Sequence, residues 1–175
     1  MFDISTVGAE FTLIGMDGRR IAKVNQFSEE GTPFECNDVD LSTNEKNLNG
    51  EMISSRTPSV YTVSITVIPS SDDDIELTAY AQKCALFKGN VQPIRSIAIK
   101  SGTLAVPYYN ESAETGATSR LYMFTNGRLK SAPTGASTSA EGRQSSRTFT
   151  FEFEQFTFSP IGASGGSSRS AVSIS

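Results

Sequence analysis

The stretch from Ser59 to Asn90, SVYTVSITVIPSSDDDIELTAYAQKCALFKGN, changes its apolar period from two to 3.6 across one proline. No other segment of the chain carries so convincing a helix. Tyr61, Val63, Ile65 and Val67 share one side of an extended run and Thr62, Ser64 and Thr66 the other, which predicts a half-buried strand over 60–68. Pro69 ends it. Ser71 is placed to cap a helix, Asp72, Asp73 and Asp74 complement the dipole of its first turn, and Gly89 closes it. Leu77, Tyr80, Ala81, Cys84 and Phe87 fall on one helical face, while Ile75, Ala79 and Leu86 form a second, narrower stripe. Such a helix can cover its own sheet and still touch a neighbour. Elsewhere the chain is written in short strands between Gly/Ser/Thr loops, so the expected fold class is mainly β, antiparallel and sandwich- or barrel-like, with one flanking α-helix.

A length of 175 residues suits one domain, expected over 1–160, followed by a flexible Ser/Gly-rich tail over 161–175. Hydrophobic residues make up 37%, and the shortfall comes from three polar stretches, 42–59, 111–119 and 131–147, the last expected to be a flexible loop. Fifteen basic and nineteen acidic residues give a net charge of −4, with no Lys/Arg run able to grip a phosphate backbone, so sequence-independent nucleic-acid binding is disfavoured. Met1 is followed by no signal-like segment, and no apolar run approaches the ~20 residues of a bilayer crossing, so a soluble, cytosolically made chain without a membrane partner is expected. Cys36 and Cys84 are too few for a disulfide framework and are expected to be reduced and buried.

Turn chemistry suggests further strands. Ile4–Val7 and Phe11–Ile14 are short apolar runs, and Met16-Asp17-Gly18 predicts a hairpin into 19–27. Another strand is expected over 34–41. Ser101-Gly102 predicts a connection between strands at 95–100 and 103–109, with Pro107 at an edge or bend, and Asn126-Gly127 predicts a hairpin within 120–130. In RTFTFEFEQFTFS, Phe149, Phe151 and Phe153 share one face against Thr148, Thr150, Glu152 and Glu154; the aromatics then move to Phe156 and Phe158, a phase change that predicts a β-bulge. Between these elements lies STNEKNLNGEMISSRTPS, 42–59, an extended polar loop whose apolar pair, Met52 and Ile53, suggests docking on something.

Catalytic chemistry finds little footing. Without histidine, Ser-His-Asp and Cys-His systems cannot be built, and the commonest zinc and non-haem iron ligand is missing. The Asp72–Asp74 run lacks EF-hand spacing and is explained by helix capping. Glu152 and Glu154 could hold paired carboxylates for glycoside hydrolysis, but a solvated strand face is the simpler account. No Gly-rich phosphate loop is present. Tyr108, Tyr109 and Tyr122 could serve a carbohydrate- or ligand-binding β-barrel module, a different class of function, although no basic residues interleave with them as a nucleic-acid platform requires. No enzyme activity, cofactor or metal site is expected.

The order of elements, with a long polar loop before Val60, an alternating strand, one capped helix and a return to a long final strand, resembles the tail-tube proteins of contractile-tailed bacteriophages. The segment NGEMISSRTPSVYTVSITVIPSSDDDIELTAYAQKC carries most of that resemblance. It implies a β-sandwich closing toward a barrel, a fold shared with type VI secretion tubes and several baseplate proteins. It also implies hexameric rings stacked into a hollow tube, a virion tail component assembled in the host cytoplasm beside tail sheath and baseplate proteins, with DNA passing through at ejection without specific binding. The polar loop corresponds to an arm reaching an adjacent ring, with Met52, Ile53 and Arg56 at the inter-subunit interface, joined by Ile75, Ala79 and Leu86 on the second helix stripe. The extra loop and tail leave a baseplate or tube-end ring open as an alternative. An acidic or neutral bore lets DNA slide where a basic one would hold it; Glu152 and Glu154, or alternatively the acids near Glu111 and Glu114, are the lumen candidates.

Overall fold

A computed structural model describes residues 2–3, 8–28, 32–86, 97–110, 117–135, 138 and 142–162. The strands are β1 (Phe2–Asp3), β2 (Glu10–Gly15), β3 (Arg20–Val24), β4 (Phe34–Cys36), β5 (Ser42–Lys46), β6 (Met52–Arg56), β7 (Tyr61–Val67), β8 (Ile99–Asn110), β9 (Ala117–Ser131) and β10 (Arg147–Gly162), with the helix α1 (Asp72–Leu86) between β7 and β8. All pairings are antiparallel. The main sheet runs β3-β2-β8-β9-β10-β7-β4, with β1 also on β8, and β5 and β6 form a separate two-stranded ribbon.

The chain leaving β3, at one end of that path, reaches β7 near the other end. Phe27, just past β3, bridges Val67, Ser28 N donates to Thr66 O, and Ile68 N donates to Gln26 O. Residues 26–28 therefore lie along the edge of β7 not taken by β10, and the sheet closes toward a barrel, which removes an open edge. Phe11, Leu13, Val24, Val63, Ile65, Val67, Phe149, Phe151 and Phe153 fill the interior at 0–1% exposure. The expected core positions of the last strand are borne out.

The helix begins as its sequence implies, with Asp74 N donating to the Ser71 side chain at 3.2 Å. Asp73 and Asp74 do more than complement a dipole. Asp73 Oδ2 accepts from Asn25 N at 2.8 Å and Gln26 N at 2.7 Å, fixing the helix start to the chain that closes the barrel. Asp74 Oδ1 lies 2.7 Å from Arg147 Nε, an N–H that is buried and not aimed along a hydrogen bond, so the attraction there is Coulombic. Arg147 also donates to Thr78 Oγ1 and to the Gly135 and Pro133 carbonyls, tying part of the 131–147 segment to the helix and to β10. Leu77 and Tyr80 enter the core, Ala81 and Cys84 pack at its margin, and the Tyr80 hydroxyl donates to Ile97 O. Phe87 and Gly89 lie outside the described residues, as does the apolar run Ile4–Val7.

Several turn assignments are corrected. Met16-Asp17-Gly18 does make the β2–β3 hairpin, with Gly18 at φ 80° and Gly15 N donating to Arg19 O. Ser101-Gly102 and Asn126-Gly127, by contrast, make no hairpins: they lie inside the continuous strands β8 and β9. Their glycines are required by rings. A Cβ on Gly102 would stand 2.9 Å from both Phe11 Cζ and Phe153 Cζ, and one on Gly127 would stand 2.3 Å from Phe153 Cδ1. The strand expected over 34–41 ends at Cys36: Asn37 N still donates to Thr62 O, but the Asn37 side chain replaces the backbone carbonyl, accepting from Thr62 N and donating to Val60 O. The 42–59 excursion is ordered as the β5–β6 ribbon.

The phase change in β10 is real, but no bulge accompanies it. Phe153 pairs with Gly127 and Phe156 with Phe124 in one register, and across the sheet Ile99 pairs with Gly127 and Gly102 with Phe124. All three strands turn their inward set at the same level, Ile99 to Gly102, Gly127 to Phe124, and Phe153 to Phe156, with Asn126 at φ 53° marking the step. Neighbours that flip together keep their hydrogen-bond register, so the sheet is creased. The bulge itself lies between Thr150 and Phe151, where Lys130 of β9 is the additional residue.

Candidate inter-subunit surface

Asn47 builds the tip of the ribbon: its Oδ1 accepts from Asn49 N and Glu51 N, and its backbone N donates to Glu51 O. Gly50 supplies the positive φ of 82°. Ser42 pairs with Arg56, Asn44 with Ser54, Glu45 with Ile53, and Lys46 with Met52. Every residue of both strands is exposed, with Met52 at 71% and Ile53 at 55%. Directly opposed residues share a face and successive residues alternate. Met52 and Arg56 therefore lie on one face and Ile53 on the other, so the apolar pair is divided between two surfaces.

At the base of the ribbon a groove of about 620 Å³ is lined by Leu41, Arg56, Tyr61, Glu154, Phe156 and their neighbours. Beyond the crease, β10 continues past Phe153, the residue paired with Tyr61 at the start of β7. The inward face of the extension is thus left half covered. Phe156 and Phe158, at 40% and 46% exposure, cluster with Tyr122 at ring-centroid distances of 6.4 and 5.3 Å, and Phe156 meets Tyr61 at 5.7 Å. The Tyr122 ring stacks on Phe156, so its face is already engaged by the protein. Leu41, Leu48, Phe156 and Phe158 were not singled out as surface residues from sequence; the phase change after Phe153 was the one signal that could have marked the last two.

On α1, Ile75 is 60% exposed and Ala79 is exposed, so that stripe is free at those positions; the Leu86 side chain lies outside the described residues. Glu152 and Glu154 both border a cavity of about 430 Å³ at the crease, with Met16, Val60, Asn126 and Arg128. Glu152 is bound to Lys130 at 2.6 Å, an exposed pair of small energetic weight, and Glu154 lies 3.5 Å from Asn126 Nδ2. The alternative acids Glu111 and Glu114 lie outside the described residues, as do the side chains of Tyr108 and Tyr109.

Both cysteines are free thiols. Cys84 is half-buried, but Cys36 is exposed, which corrects the expectation of two buried cysteines; the short β4 sits at the margin of the barrel. Desolvation around its sulfur, aided by neighbouring Glu35, pushes the Cys36 thiol up to about 11. In a Cys84→Ser background, iodoacetamide should label Cys36 at pH 8 about tenfold more slowly than an ordinary thiol, the scarcer thiolate being partly offset by its greater nucleophilicity, with the rate rising through pH 11. A rate that levels off near pH 9 would contradict this environment.

Among the described residues no cluster of three or more metal-ligating side chains occurs, and no helix is long and apolar enough to cross a membrane. A closed antiparallel barrel with one flanking helix and a projecting ribbon is the tail-tube type of fold. The anti-feeding prophage tube-terminating cap shares it at a TM-score of 0.53 and 14% identity, covering 92% of this chain and 93% of that one. The sheath/tube terminator of the extracellular contractile injection system PVC matches at 0.53 and 12% identity over 90% of this chain and 96% of that one, and a chain of the PVC sheath-tube complex at 0.52 and 13% over 91% and 93%. The chain belongs to the family described as tail fiber protein gp32, whose model matches residues 2–157. No curated relative matches it.

Proposed function

We propose that this chain is a non-enzymatic structural subunit of a contractile tail, assembling into hexameric rings that stack into the tail tube and conduct DNA at ejection. The observation carrying this reading is the ribbon: two strands, fully exposed, with apolar side chains on both faces. An isolated two-stranded hairpin is marginal in water, and exposed apolar residues of this kind mark surfaces that are covered in use. The exposed Phe156–Phe158 cluster and the free Ile75/Ala79 stripe supply further ring contacts, and Glu152 and Glu154 are the lumen candidates. A net charge of −4 without a basic run suits a bore through which DNA slides without specific binding. Sheath and baseplate proteins are the implied partners, in a virion tail assembled in the host cytoplasm. A second reading, a single tube-end or baseplate ring, is favoured by the similar cap and terminator structures.

Negative-stain microscopy of concentrated protein tests both. Stacked tubes support the first reading and single rings the second; a wild-type chain that stays monomeric at every concentration overturns both. Met52→Asp and Ile53→Asp should each abolish assembly while leaving the circular-dichroism melt unchanged, because neither side chain touches the core. Unfolding of either variant would make the ribbon part of the fold and remove its role as an arm.

A further inference from the structure

The register of the ribbon sorts its charges as well as its apolar residues. Lys46 and Arg56 lie on the face of Met52, whereas Glu45 lies on the face of Ile53. Glu51, one residue before β6 and opposite Asn47, continues the Ile53 face. All four charged side chains are exposed, and among the described residues none has an ion-pair partner; Glu51 accepts only from Asn47 Nδ2. One face is thus basic around a methionine and the other acidic around an isoleucine.

Resting on the self-assembly reading above, we infer that the two faces of the ribbon are complementary to each other, and that the Met52 face of one copy packs on the Ile53 face of the next. Laid in the same direction, successive ribbons bring Met52 over Ile53 and Lys46 beside Glu45 and Glu51, all at the tip end. The contact is heterologous: each ribbon uses one face as donor and the other as receiver, so the same contact repeats from copy to copy and closes only through the rotation of the ring. A single face offers a strip about 17 Å long and 10 Å wide, far below the ~800 Å² per partner of a standard stable interface. An isolated pair of copies is therefore weak, and the contact becomes effective when every ribbon is engaged on both faces.

Charge reversal on one face at a time tests this. The variant Lys46→Glu/Arg56→Glu has two acidic faces and Glu45→Lys/Glu51→Lys has two basic ones. Each alone should need at least about tenfold higher concentration to assemble than wild type, by sedimentation velocity, since like charges across an interface are strongly unfavourable. Mixed in equal amounts they should co-assemble at close to the wild-type concentration, alternating around the ring, and the chain carrying all four reversals should assemble alone. High salt should weaken the wild type and relieve the single-face variants. Variants that assemble like wild type, or a mixture that fails to restore assembly, overturn the ribbon contact while leaving the self-assembly reading standing. A wild-type chain that never assembles overturns that reading and this contact together. Unchanged thermal melts of all variants exclude misfolding as the cause.

Discussion

Phe151→Asp should abolish the folded state. Phe151 is fully buried, pairs with Val63 on β7 and Leu129 on β9, and its ring lies 6.4 Å from Phe11 across the barrel. Removing the ring forfeits about 1.5–3 kcal/mol of apolar burial. The new carboxylate adds several kcal/mol for desolvation without a partner, roughly, or takes up a proton to avoid it. Against a total stability of about 5–15 kcal/mol for a domain, the sum is decisive. Circular dichroism at 20 °C should show no cooperative melt, while Phe151→Leu, which keeps the site apolar, should still melt cooperatively with a loss of about 1–3 kcal/mol. A cooperative Phe151→Asp protein at neutral pH would mean that water reaches this part of the barrel.

Gly127→Ala is expected to cost about 1–3 kcal/mol or more, read as a lower urea midpoint, by overpacking. The backbone there needs no positive φ; the obstacle is the Phe153 ring, with Cδ1 and Cε1 at 2.3 and 2.4 Å from the new Cβ and Glu152 O at 3.0 Å. Phe153 cannot swing aside, being 1% exposed and held by Phe124 at 5.4 Å. Adding Phe153→Leu should return part of the loss, a coupling expected only if ring and glycine compete for one space. Asn126→Gly, at φ 53°, should change stability by less than about 1 kcal/mol, because relief of the left-handed conformation offsets the added freedom of the unfolded chain. Equal costs at positions 126 and 127 would argue against ring crowding.

Where the information was local, the sequence was readable. Alternation over Tyr61–Val67, the Ser71 cap, the Asp-Gly hairpin and the buried Phe149, Phe151 and Phe153 each depend on residues within a few positions of one another. Asn126-Gly127 and Ser101-Gly102 misled because glycine serves a tight turn and the close approach of a ring equally well, and the ring concerned, Phe153, is remote in sequence. The shift to Phe156 was visible, but whether one strand bulges or three crease together depends on neighbours that β10 does not name. The 42–59 arm was legible as an excursion and not as a ribbon, since its strands carry no apolar alternation. Only the register placed Met52 and Ile53 on opposite faces and separated Lys46 from Glu45.

The position of β10 in the sheet bears on how the chain folds. It is the last of the described strands, yet it stands between β9 and β7, and its partners in β7 lie eighty or more residues earlier, as between Ser64 and Thr150. Until 147–162 arrive, β7 and β9 each lack a neighbour and the barrel wall has a gap. Closure is therefore a late event of high contact order, on the millisecond-to-second scale of about ms–s typical of non-local β topologies. A ribosome-stalled chain ending before Arg147 should accordingly remain protease-sensitive throughout.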